Sequence, residues 1–127
     1  MTMKKENVKR YNQIVGKWGE DIAADFLTRH GFALVGRNVR TPEGEIDLVM
    51  EKDGELIFCE VKTRTIEHDG YPEDAVTDEK MDHMLASAES YLSEHPEFEE
   101  NWRIDVIAVI GNLNDPQPQI EWFENAV

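Results

Sequence analysis

Cysteine is almost missing from this chain: its 127 residues include one, Cys59. No internal disulfide can form and no thiolate cluster can hold zinc, which points to a reducing compartment, the cytoplasm. Long apolar runs are missing too. The longest, Val106 to Ile110, falls far short of the ~20 residues that cross a bilayer, so no membrane partner is expected. Met1-Thr2-Met3-Lys4-Lys5-Glu6-Asn7 leads into more charge rather than an apolar core, so no signal peptide is expected. Basic residues are the third scarcity, with 13 Lys and Arg against 27 Asp and Glu and a net charge of −14. The deficit is uneven. Residues 1–66 hold 11 side chains of each sign, whereas residues 67–100 hold 12 acids against Lys80 alone. Such a field repels nucleic acid at long range, because phosphate binding relies on Lys and Arg to displace counterions. An acidic surface also serves plain solubility, and the two readings weigh about equally.

What is present is enough for a folded domain. Hydrophobic residues make up 40% of the chain, and its length suits one compact unit over residues 1–127, with residues 1–10 as a flexible basic arm. Helical periodicity runs from Tyr11 to His30, where Ile14, Trp18, Ile22 and Phe26 recur every fourth residue beside Val15, Ala23 and Leu27. Phe32 to Arg40 reads as a strand, closed by Thr41-Pro42 and Gly44. Glu45 to Met50 and Leu56 to Arg64 read as two more, joined through Asp53-Gly54, a hairpin signal that makes them antiparallel neighbours. Helical spacing returns from Thr77 to Glu94, with Met81, Met84, Leu85, Ala88 and Leu92 on one face and Thr77 as N-cap. Ile104 to Ile110 is a continuous apolar strand, expected at the centre of the sheet and parallel to the strand before the helix. Ile120 to Phe123 is a last strand. The order is α-β-β-β-α-β-β, an α/β fold with a mixed sheet flanked by helices.

Alternation along a strand puts Glu60 and Lys62 on one face, and Glu45, Asp47 and Val49 on one face of the partner strand, opposed to Ile46, Leu48 and Met50. A tight turn at Asp53-Gly54 brings Asp47 and Glu60 to matching depth. Two carboxylates placed together inside apolar strands are costly unless a cation holds them, and an oxygen-only pair suits Mg2+ or Mn2+ with waters completing the shell. The chemistry open to such a group with Lys62 beside it is phosphodiester hydrolysis. Spacing alone favours an ordinary Glu60–Lys62 pair on a solvated strand face with Asp47 exposed, because E-x-K on one strand is a common accident.

The motifs taken together go further. Gly44-Glu45-Ile46-Asp47-Leu48-Val49 and Phe58-Cys59-Glu60-Val61-Lys62-Thr63-Arg64 closely resemble the signature of the YraN-like family, a bacterial group in the PD-(D/E)XK nuclease superfamily similar to archaeal Holliday junction resolvases. The likeness extends to Gly16-x-x-Gly19-Glu20, Arg37-Asn38-Val39-Arg40, Gly70-Tyr71-Pro72 with Ala75-Val76 and Lys80, Arg103-Ile104-Asp105-Val106-Ile107, and Glu124-Asn125-Ala126. It implies a restriction-endonuclease-like fold with Asp47 and Glu60 as metal ligands, Lys62 as catalytic lysine, and Glu20 as a further acidic member of the site. DNA contacts are implied at Arg37, Arg40, Arg64 and Lys80, with Lys4, Lys5, Lys9 and Arg10 adding charge, and a homodimer is the implied assembly. One departure stands out: after Lys80, where the family is rich in Arg and Lys, this chain reads Met81-Asp82-His83. Two functions follow as expectations, a metal-dependent nuclease acting on DNA, branched or structured DNA included, and a non-catalytic module that binds a protein partner through its acidic second helix. Trp18, Trp102 and Trp122, Cys59 and Tyr91 are expected in the core, and His30, His68, His83 and His95 at the surface or at helix caps.

Overall fold

The computed structural model describes residues 4–65 and 77–126. His68, Gly70-Tyr71-Pro72 and Ala75-Val76 lie outside the described residues. Among those described, the order is α1 (Lys5–Arg29), β1 (Ala33–Thr41), β2 (Gly44–Lys52), β3 (Glu55–Arg64), α2 (Asp78–Ser93), a 3-10 turn (Pro96–Phe98), β4 (Trp102–Ile110) and β5 (Gln119–Phe123). The strands form one sheet in the order β1-β2-β3-β4-β5. β1, β2 and β3 are antiparallel neighbours, β3 and β4 run parallel, and β5 returns antiparallel to β4. This is the mixed, helix-flanked sheet and the element order that the sequence implied, with the apolar β4 in its interior.

The hairpin between β2 and β3 closes on the pair Lys52–Glu55, and Asp53 and Gly54 between them both have positive φ, 53° and 83°. Those are the angles of a type I′ turn, whose twist matches the strands it joins, so Asp53-Gly54 fixes the register of everything downstream. The first helix starts at Lys5 rather than Tyr11, and residues 5–10, expected as a flexible arm, form its exposed opening turns. Nothing in Lys5-Glu6-Asn7-Val8-Lys9-Arg10 breaks a helix, so propagation from the packed part is cheap. At its other end α1 closes in a Schellman motif, with Phe32 N–H donating to Leu27 O and Gly31 N–H to Thr28 O. Thr77 caps α2 as expected, its hydroxyl accepting from Lys80 N–H at 3.2 Å.

Two cores sit on opposite faces of the sheet. Under α1 lie Leu48, Met50, Ile57, Cys59, Ile107 and Val109 with Ala23, Ala24 and Leu27; under α2 lie Ile46, Val49, Leu56, Phe58 and Ile104 with Ala88 and Leu92. Trp18 and Trp122 pack on the first core and Trp102 and Tyr91 on the second, and Cys59 is a buried free thiol. The buried line of α1 runs through Val15, Gly19, Ala23 and Leu27, one position round from the expected Ile14–Trp18–Ile22–Phe26 line, and Ile14 is 48% exposed. Small residues explain the rotation. A Cβ on Gly19 would meet Thr63 Cβ and Cγ2 at 2.9 Å and the Thr63 hydroxyl closer still, so the helix lies on β3 through its smallest side chain. The sequence also gave no warning of Asp105, which is fully buried. Its carboxylate accepts from Trp122 Nε1 at 2.9 Å, Asn125 N–H at 2.8 Å and Arg103 Nε at 3.0 Å, tying the end of the chain back onto β4. Every lone-pair direction is used, which is the condition under which a buried carboxylate is tolerated.

Gly19→Ala is therefore expected to push α1 off β3 at a cost of about 1–3 kcal/mol, the usual penalty of overpacking. Urea unfolding should show a lower midpoint at unchanged slope, and adding Thr63→Ala should recover part of the loss. A Gly19→Ala protein as stable as wild type would mean that α1 is not in close contact with β3.

Candidate active site

The β2–β3 ladder runs from Lys52–Glu55 through Met50–Ile57 to Leu48–Cys59 and stops there. The next residue on each strand is Asp47 and Glu60. Where the main-chain pairing ends, Asp47 takes over with its side chain: Oδ2 accepts from Val61 N–H at 2.8 Å. A carboxylate thus stands where a backbone carbonyl would otherwise serve, and β2 leaves β3 by the width of a side chain. β3 itself continues, paired with β4 as far as Arg64–Ile110. The result is a notch at the carboxyl end of β3, the position at which parallel strands commonly present ligand sites.

A second irregularity faces Asp47 from β1. Arg37 pairs with Leu48 and Val39 with Ile46, leaving Asn38 across from Asp47, and Asn38 has a positive φ of 49°. Asn tolerates that conformation better than most residues. Strict alternation also fails here: Ile46 packs with Val49 under α2 instead of with Leu48 and Met50 under α1. The expected face of Ile46 is therefore corrected, and the reason is the local twist at the Asn38–Asp47 step.

Asp47 and Glu60 are in hydrogen-bonding contact, and the Asp47 carboxyl is pushed up to about 7. Burial is the main cause, followed by the charge of Glu60, and the Val61 amide pulls the other way. Glu20 is brought to the same place by the close contact of Gly19 with Thr63. Its carboxyl is raised by burial and then by the charge of Asp47, against hydrogen bonds from Asn38 and Arg37. Lys62 Nζ lies 3.8 Å from Glu60 Oε1, and both side chains are largely buried. The Lys62 ammonium is held below its ordinary range by burial and by Lys80 beside it, with Glu60 opposing. Asp47, Glu60, Lys62 and Glu20, singled out from the sequence, therefore share one site, and Lys80 of α2 reaches it too.

The other basic residues expected at DNA fare differently. Arg37 is engaged by Asp21 at 2.7 Å and by Glu20 at 3.6 Å. Arg40 is 90% exposed, 3.8 Å from Glu45, and the Arg64 guanidinium donates to Thr63 O at 2.9 Å. Sequence reasoning missed Asn38 and the Val61 amide; a left-handed asparagine and a main-chain donor leave no pattern to read.

Among the described residues, no group of three or more His, Cys, Asp or Glu side chains is arranged to hold a metal ion. The donor chemistry still fits a hard divalent cation. Mg2+ and Mn2+ are held by one or two carboxylates with water in the remaining positions, and two carboxylates in contact carry the charge conflict that a cation relieves.

The profile of a family described as uncharacterised protein family UPF0102 matches residues 19–109, a span that contains Glu20, Asp47, Glu60, Lys62 and Lys80. A UPF0102 protein of Dehalococcoides mccartyi is 39% identical over 112 residues, covering 88% of this chain and 91% of that protein. One from Syntrophotalea carbinolica is 43% identical over 112 residues (88% and 89%), and one from Renibacterium salmoninarum 45% over 108 residues (84% and 90%). No helix among the described residues is long and apolar enough to cross a membrane.

The raised Asp47 carboxyl has a direct consequence for stability in the absence of divalent cations. The folded state holds its proton more tightly than the unfolded chain does. That contribution is complete below about pH 4 and is lost as the pH rises through about 7. Asp47→Asn, neutral at any pH and still able to accept from Val61, is expected to flatten this slope. In chelating buffer at pH 8 it should exceed wild type by about 1–3 kcal/mol in urea unfolding. Parallel pH profiles for the two proteins would show that the pair is not in conflict.

Proposed function

We propose that this chain, which belongs to the uncharacterised protein family UPF0102, is a Mg2+- or Mn2+-dependent nuclease that hydrolyses phosphodiester bonds in DNA. One observation carries the reading: Asp47 and Glu60 meet where the β2–β3 ladder ends, with the Lys62 ammonium 3.8 Å from Glu60. A half-buried carboxylate pair with an adjacent lysine is a costly arrangement that packing alone does not require. The resemblance to the PD-(D/E)XK superfamily assigns the same three residues to phosphodiester hydrolysis, and its resolvase-like branch favours branched or structured DNA. A reducing cytoplasm is the setting this reading assumes.

Asp47 and Glu60 would hold the cation, which when bound supplies Lewis acidity toward a phosphate oxygen and a lowered pKa for an attacking water. The Val61 N–H fixes one Asp47 oxygen and so sets the direction of the other. Lys62 stands where it can donate to the water or to the phosphate oxygen on which charge accumulates. Its lowered proton affinity follows from burial and from Lys80, which leaves the pair of lysines to face the negative charge of the reacting phosphate. Glu20, held by Arg37 and Asn38, closes the acidic side of the notch.

A second reading has its own observation. Asp78, Glu79, Asp82 and Glu89 all stand exposed on α2, where the family resemblance leads one to expect a basic stretch. A module that keeps the nuclease fold and captures a protein partner through this acidic helix would need no catalysis.

Labelled duplex, single-stranded and four-way-junction DNA incubated with Mn2+ decides whether the nuclease reading holds. Wild type is expected to cut, and Asp47→Ala and Lys62→Ala to cut at least about 100-fold more slowly, as is usual when one charge-stabilising group is lost. Calorimetric Mn2+ binding should disappear in Asp47→Ala and persist in Lys62→Ala. A folded wild type that cuts none of the three substrates would sink the nuclease reading. Neutralising Asp78, Glu79, Asp82 and Glu89 together separates the two functions: the nuclease should bind DNA more tightly, whereas the accessory module should lose its partner.

A further inference from the structure

Two shallow depressions lie end to end along α1. The first, about 550 Å³, is lined by Lys5, Val8, Lys9, Asn12 and Gln13. The second, about 580 Å³, is lined by Gln13, Gly16, Lys17, Glu20, Arg37 and Asn38. They share Gln13, so together they make one open strip of surface that begins at the helix N-terminus and ends on Glu20, a member of the carboxylate site.

The strip has a period. Lys5, Lys9, Gln13 and Lys17 are four residues apart, which places them on one inclined ridge that winds about 120° around the helix from Lys5 to Lys17. All four are exposed. Every charged side chain lining the first depression is cationic, in a chain whose net charge is −14. At 1.5 Å per residue the row from Lys5 to Lys17 is ~18 Å long. One strand of a DNA duplex carries a phosphate about every 3.4 Å along the axis, so the row can meet several in succession. Lys17 is within 3.4 Å of Asp21 but 73% exposed, so this surface pair is weak and readily exchanged for a phosphate. Val8, 40% exposed between Lys5 and Lys9, offers apolar contact of the sort a deoxyribose makes. Arg37 is less available, since Asp21 and Glu20 both engage it.

We propose that this strip of α1 is a track for the backbone of duplex DNA, with Lys5 and Lys9 on neighbouring phosphates, Lys17 on one further along and Gln13 donating between Lys9 and Lys17. The track runs toward Glu20 and so leads a strand to Asp47 and Glu60. The proposal rests on the nuclease reading for its direction, and on the charge and geometry of α1 for its existence.

Fluorescence anisotropy of the full-length protein on a labelled duplex, in EDTA so that nothing is cut, tests it over a KCl series. Each phosphate contact contributes about 0.9 to the slope of log K against log salt. Lys5→Gln, Lys9→Gln and Lys17→Gln combined should flatten the slope by about 2.7 and weaken low-salt binding at least tenfold. Arg29→Gln removes a charge from the other end of the same helix and should leave the slope at the wild-type value. If wild type binds and cuts DNA while the triple variant keeps the wild-type slope, the track is wrong and the nuclease reading stands. If wild type neither binds nor cuts duplex or branched DNA, both fall. A flattened slope in a protein that binds but does not cut supports the track and overturns only the catalysis.

Discussion

The contact between Asp47 and Glu60 is the constraint around which the rest of this structure is arranged. Two carboxylates held together away from bulk water repel each other and lose hydration, and the Asp47 carboxyl rises to about 7 as a result. Such a pair persists only in a frame that cannot relax. β3 supplies it, bonded to β2 on one side up to Leu48–Cys59 and to β4 on the other along its whole length. The Asp53-Gly54 turn sets the register, so a slip of one residue would send Glu60 to the wrong face and unpair both strands. Strain at the site is thus carried by the cooperativity of the sheet, not by any one local bond.

The two helices reach the site in different ways, and their packing explains what each contributes. α1 approaches β3 through Gly19 and Ala23, close enough that Glu20 feels Asp47. α2 packs through Ala88 and Leu92, and its first turn brings Lys80 next to Lys62. One helix therefore adds acid on its side of the notch and the other adds a base. Local charge is nearly balanced by groups from α1, β1, β2, β3 and α2, while the net charge of the chain is not. A hard cation has carboxylates to bind, and an incoming phosphate has lysines to meet, within the same few side chains.

Much of this was legible in the sequence because it depends on period and turn chemistry. Alternation in Leu56–Arg64 placed Glu60 and Lys62 together, and Asp-Gly between two apolar runs placed Asp47 opposite. The N-cap at Thr77 and the interior position of Ile104–Ile110 were equally plain. What was not legible depends on small departures from period. Trp18, Ile22 and Phe26 pack on the core as their spacing implies, but Ile14 is exposed and the closest approach falls at Gly19, which hydrophobicity does not mark. Asn38 opposite Asp47 breaks the alternation that would otherwise place Ile46 with Leu48. Asp105 goes unmarked inside a run that reads as continuously apolar, and it is a fully satisfied hydrogen-bond centre for residues 122–125. Residues 5–10 look like an arm by composition, yet they continue a helix already nucleated by packing.

Net charge looked like the strongest objection to a DNA partner, and the structure changes its force. Charge acts through the distance over which it is unscreened, about 8 Å at physiological ionic strength. Lys62 and Lys80 are immediate neighbours at the site, and Lys5, Lys9 and Lys17 form a single row, whereas the excess acid belongs to residues 67–100. A phosphate in contact with the row interacts with those cations directly, whereas any charge beyond a screening length contributes little. What the acidic excess governs is the approach: it slows association and discourages docking in any pose that brings residues 78–100 against a backbone. Under the proposed reading, the acidic α2, on the opposite face of the sheet from α1, disfavours poses that bring it against a backbone and leaves more of the remaining poses with a strand along α1. Under the proposed nuclease reading, restricting the pose is worth more than strong binding to any stretch of duplex, because only contacts made in the reacting geometry lower the barrier.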